Sequence, residues 1–119
     1  MNYLVATLAV AVLLAMPAST QDLVGTFEGT RSHSIHGCAA VTVTITEVEG
    51  SSVSLAWETE GQEGSTRGTL KEGKLEFWRG RIFYSLSLKG DELSGSSQGR
   101  TFNAVRLVRK GTGEPPRCP

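Results

Sequence analysis

The stretch RSHSIHGC, Arg31 to Cys38, holds both histidines of the chain, His33 and His36, and one of its two cysteines, Cys38. Imidazole nitrogen and thiolate sulfur are donors that zinc and copper accept. The spacing of these three residues matches no established ligand pattern. Cys118, the other cysteine, also competes for Cys38, and a sulfur held in a disulfide is not a thiolate ligand. The segment is therefore read as a polar loop between two strands, with no metal and no cofactor expected. A pH-responsive histidine pair is the remaining chemical use.

Other catalytic arrangements find little support. No Gly-x-Ser-x-Gly elbow precedes a helical segment, and the serines fall in turns or on the polar phase of alternating segments. Glu58, Glu60 and Glu63 are close enough in sequence to suggest paired carboxylates, but their setting is a polar connection in which solvation explains them. The glycines are spaced by turns, not as a phosphate-binding G-x-G-x-x-G. The expectation is that the chain is not an enzyme.

The aromatic residues point to binding instead. Trp57 alternates in phase with Val53 and Leu55 and so belongs to an inner face. Trp78 is out of phase with Leu75 and Phe77, and Phe83 is out of phase with Ile82 and Tyr84. Both should face outward across one hairpin, bordered by Arg79 and Arg81. Trp and Arg dominate the contact energy of many interfaces. Trp78, Arg79, Arg81 and Phe83 are thus the candidate site for a ligand or partner.

These residues need elements to position them. Residues 1–20 are set aside as a signal peptide. Tyr3 to Met16 is an apolar run, followed by Pro17 and the small residues Ala18, Ser19 and Thr20. Cleavage is expected after Ala18 or Thr20, although no Lys or Arg precedes the apolar run. That run is short of the ~20 apolar residues of a membrane span. A secreted or periplasmic protein, free of the membrane after cleavage, is the expectation. Two cysteines in such a chain predict one disulfide, Cys38–Cys118, which ties a tail at 111–119 back to the domain at 21–110. Twelve acids balance twelve bases, so nucleic acid is not an expected partner. Acids dominate from Asp22 to Gly64 and bases thereafter, which predicts either pairing between the two halves or two oppositely charged faces.

Beyond the leader the period is two. Val41, Val43 and Ile45 alternate with Thr42, Thr44 and Thr46, and Ile82, Tyr84, Leu86 and Leu88 share another face. Glycine-bearing breaks at 49–52, 71–74, 79–81 and 89–92 read as tight hairpin turns, and ETEGQEGSTRG as a longer polar connection. About eight strands result, near Val24–Thr30, Ala39–Glu49, Ser52–Glu58, Arg67–Lys71, Lys74–Arg79, Ile82–Lys89, Glu92–Gln98 and Thr101–Arg109. Successive hairpins predict an all-β fold, a small antiparallel up-and-down β-barrel, with a two-sheet β-sandwich as the alternative.

LVGTFEGT, with Gly25 and Phe27, and TFNAVRLVRK, with Arg106 and Arg109, lie at opposite ends of this strand series. The arrangement resembles the calycin barrels of lipocalins and fatty-acid-binding proteins, in which a Gly-x-Trp on the first strand packs beneath an arginine of the last. The resemblance implies such packing among Gly25, Phe27 and Arg106, with Phe27 in the place of the family's Trp. The plan also resembles small secreted bacterial β-barrel domains of unassigned function. The expected function is non-catalytic binding of a small apolar ligand or carbohydrate by a calycin-like barrel. The alternative is a protein-interaction molecule, such as an inhibitor of an extracellular hydrolase or a host-directed effector.

Overall fold

The computed structural model describes residues 23–33, 35 and 37–119. The expected signal segment at 1–20 and His36 lie outside the described residues. The strands are β1 (Gly25–His33), β2 (Gly37–Glu49), β3 (Ser52–Thr59), β4 (Gln62–Lys71), β5 (Lys74–Arg79), β6 (Ile82–Lys89), β7 (Glu92–Gln98) and β8 (Phe102–Arg109). Each pairs antiparallel with its neighbour in sequence, and β8 returns to β1, with Phe27 opposite Arg109 and Ser32 opposite Ala104. The fold is a closed up-and-down barrel and not a two-sheet sandwich.

Alternation builds the lumen. Phe27, Val43, Ile45, Phe77, Leu86 and Leu107 are among the inward residues, and none is more than 2% exposed. Phe77 stacks on Tyr84 with ring centroids 4.7 Å apart. Side chains of this size fill a barrel of eight strands. A bulge after Ile45 resets the phase of β2, so Val48 packs on the core while Glu47 stays exposed.

The polar connection expected at Glu58–Gly68 is instead the hairpin of β3 and β4. Glu60 and Gly61 form its turn with φ of 53° and 75°. Positive φ at both central residues is the twist-matched geometry of a two-residue hairpin. Strand β4 lacks an apolar period because two of its inward positions are glycine. A Cβ at Gly64 would lie 2.6 Å from Trp57 Cζ2, and one at Gly68 would lie 3.1 Å from Phe77 Cβ. The Trp57 ring over Gly64, and the β5 backbone at Glu76 with Phe77 Cβ over Gly68, occupy the space that β4's own side chains would otherwise fill.

The turns β1–β2, β3–β4, β5–β6 and β7–β8 form one rim, termed upper. The lower rim carries the other turns and the end of β8. From there the tail runs back to Cys38 near the upper rim. The Cys38–Cys118 disulfide joins residues 80 apart in sequence, with Cα atoms 5.5 Å apart. Such a bond is a mark of chains that mature in an oxidising compartment. The ion pairs Arg31–Glu60, Arg106–Glu92, Arg109–Asp91 and Arg117–Glu114 each join residues of the same half of the sequence, so the acidic and basic halves are not joined by them.

Candidate functional site

Strand phase at the upper rim produces an outer aromatic row. Trp78 is opposite Phe83, Phe83 opposite Gln98, and Gln98 opposite Phe102, across β5 to β8. All four belong to the outward phase. Trp78 is 56% exposed and Phe102 61%. The Trp78 and Phe83 ring centroids lie 5.0 Å apart with a 50° tilt, within the separation at which aromatic pairs interact. Arg81 and Arg100 project from the two adjacent turns and are exposed. A cleft of about 830 Å³ passes between these turns, lined by Trp78, Arg81, Phe83, Gln98 and Arg100, and reaches Arg31 and Asn103 inside the rim.

Arg79, predicted beside Trp78 on the outer face, turns into the barrel. It is in phase with Leu75 and Phe77 and only 8% exposed. Its Nε donates a hydrogen bond to the Tyr84 hydroxyl at 3.2 Å. Its guanidinium carbon stands 5.3 Å from the centroid of Trp57 and 5.8 Å from that of Tyr84. Cations over aromatic faces gain from the ring quadrupole, which helps hold a charge in the lumen. Adjacency in sequence suggested an outer patch, but alternation separates Arg79 from both its neighbours.

Arg79 belongs to a polar cluster that closes the lumen beneath the upper rim, whose members are far apart in sequence. Thr59, Ser97 and Asn103 are buried with it. Tyr84, Ser97 and Asn103 are consecutive partners across β6, β7 and β8. Thr59 Oγ1 donates to Ala40 O at 2.8 Å, and Asn103 Nδ2 donates to Thr101 Oγ1 at 3.2 Å. Arg31, its side chain 13% exposed, directs Nη2 to Glu60 Oε1 at 3.2 Å. Arg31 Nε, Arg79 Nη2 and Ser97 Oγ are buried without a hydrogen-bonding partner among the described residues. The available signal was phase: the inward series of β1, β3, β5, β7 and β8 each turn polar toward the same rim.

Of the metal candidates, His33 and Cys38 are among the described residues. Cys38 is in the disulfide, and His33 Nδ1 accepts the Ile35 backbone N–H at 3.0 Å. Among the described residues no three His, Cys, Asp or Glu side chains are grouped to hold a metal ion. At the lower rim the arginine over Phe27 is Arg109, not Arg106. Arg109 Cζ is 4.6 Å from the Phe27 ring centroid. Its Nη1 donates to Val24 O at 2.8 Å and its Nε to Asp91 Oδ1 at 2.9 Å. Arg106 is on the outward phase of β8, its side chain 62% exposed, with its Nε 3.0 Å from Glu92 Oε1.

These features define a small, disulfide-tied, up-and-down β-barrel with a filled apolar lumen, a polar inner end and an aromatic outer row. Comparison with known proteins finds no matching family model, no matching curated protein and no matching solved structure.

Proposed function

We propose that the chain is a secreted or periplasmic, non-catalytic binding protein that meets another extracellular protein through the aromatic row at its upper rim. The observation that carries this reading is Trp78, 56% exposed while its ring packs against Phe83. Single exposed apolar residues are ordinary on protein surfaces, but a row of rings beside two arginines is a more specific combination. A lumen filled by residues such as Phe77, Tyr84 and Leu86 supports an outer contact over a small apolar ligand held within. The disulfide and the leader-like residues 1–20 support an extracellular or periplasmic setting. Carbohydrate is the second reading, favoured by the amide of Gln98 between Phe83 and Phe102, a polar group flanked by two apolar faces.

Trp78→Ala tests the site. Because the ring is largely in solvent, unfolding stability should remain within about 1 kcal/mol of wild type. Capture of a specific extracellular protein by the oxidised wild type should weaken by about 2 kcal/mol or more, near thirtyfold. A partner retained at full affinity by the variant would remove the row from the interface. A glycan array run with the same pair of proteins decides the carbohydrate reading.

A further inference from the structure

The donors beneath the upper rim carry a second site, made of residues other than those of the outer row. Arg79, Ser97 and Asn103 are each more than nine-tenths buried, and Arg31 nearly so in its side chain. Three of their polar atoms, Arg31 Nε, Arg79 Nη2 and Ser97 Oγ, find no partner among the described residues. Two of these are guanidinium N–H groups, which can only donate, and the third is a hydroxyl, which can donate. Buried donors left unpaired are unfavourable, and charged ones more so. The charge balance points the same way. Of the two guanidiniums, Arg31 has a carboxylate partner among the described residues, Glu60, which is 60% exposed and 3.2 Å from Arg31 Nη2. Arg79 has the Tyr84 hydroxyl and the rings of Trp57 and Tyr84 around it, and no ion pair with a carboxylate among the described residues. The cleft at the rim reaches Arg31 and Asn103, giving an approach from solvent to the edge of the cluster.

We infer that the upper end of the lumen is a binding site for a carboxylate, held by Arg31 Nε, Arg79 Nη2 and Ser97 Oγ. Guanidinium groups suit planar oxyanions because their N–H groups are fixed in direction. After Glu60 the cluster retains one net positive charge, which matches a monoanion better than a phosphate dianion. The packed apolar side chains below the cluster leave the remainder of the ligand directed toward the rim. The carboxylate belongs either to a small organic acid or to an acidic side chain of a protein partner.

The experiment is a titration of the oxidised protein with sodium acetate against sodium chloride at equal ionic strength, read by the Nε–H resonances of its arginines. Acetate should shift the Arg31 Nε–H signal saturably, and chloride should not. Ser97→Ala should weaken acetate affinity about threefold or more, the scale of one hydrogen bond, while leaving the ligand-free melting temperature unchanged or raised. Arg79→Met should abolish binding. If that variant fails to fold, Ser97→Ala and the Arg31 resonance still decide the matter. Absence of a saturable shift, an equal shift with chloride, or unchanged affinity in Ser97→Ala would each overturn the assignment. Hexanoate and a blocked Gly-Glu-Gly peptide separate the two sources, since the source is the one whose probe binds more tightly than acetate. Neither improving on acetate would overturn the assignment of a larger ligand extending to the rim. Acetate binding is read with no protein partner present, so failure of the outer contact and failure of this site are distinguishable.

Discussion

Arg109 and Arg106 are three residues apart on β8 and have different work because of phase alone. Arg109 covers Phe27, donates to Val24 O and pairs with Asp91, with its side chain 20% exposed. Arg106 pairs with Glu92 in solvent. Arg109→Ala should therefore destabilise by roughly 2 kcal/mol, through lost packing and an unpaired carbonyl at the rim. Arg106→Ala should cost less than about 0.5 kcal/mol, as exposed ion pairs usually do. Urea unfolding of the two variants measures both, and equal losses would show that phase does not separate their roles. The same rule explains which site residues were legible. Trp78 and Phe83 could be placed outward from their strands, and Phe102 could have been, being out of phase with Val105 and Leu107. Arg79 was misplaced by reading adjacency before phase. That Arg31 Nε, Arg79 Nη2 and Ser97 Oγ lack partners among the described residues was not legible, because it depends on which side chains meet across the barrel.

At the scale of elements, β5, β6 and β7 have the boundaries that alternation and glycine turns predict. Strand β4 does not, because its inner face is partly contributed by its neighbours. A strand with glycine at two inward positions gives no hydrophobic period to read, and its Glu, Gln and Ser residues resemble a loop. Gly64→Val tests this directly. The new side chain would start 2.6 Å from the Trp57 ring, so Trp57 or the β3–β4 hairpin must move. The expected cost is about 1–3 kcal/mol, the range for overpacking, with a change in tryptophan emission. A stability equal to wild type would show that Trp57 does not need the space over Gly64. The same displacement would reach Arg79, whose guanidinium lies over Trp57. The β3–β4 hairpin is thus part of the support for the polar inner end.

For the whole molecule, alternation and successive hairpins were enough to favour a barrel, and the two cysteines were enough to name the disulfide. What the sequence could not supply was the closure of β8 on β1, which needs a register between the two ends of the strand series. Cys38→Ser should lower stability by about 2–5 kcal/mol in chemical unfolding, the usual range for a small domain losing its disulfide. A loss below about 1 kcal/mol would mean that the tail contributes little to closure. Closure also has a kinetic side. Seven of the eight pairings join consecutive strands and can zip locally, whereas β1–β8 must await the ends of the chain finding each other. The disulfide links β2 to the segment after β8, so it shortens the search for that one seam. In the reduced protein, amide exchange should therefore accelerate first along β1 and β8. Two unpaired strand edges would appear together there, so reduction should turn a self-sealed barrel into a chain able to exchange strands with a second copy.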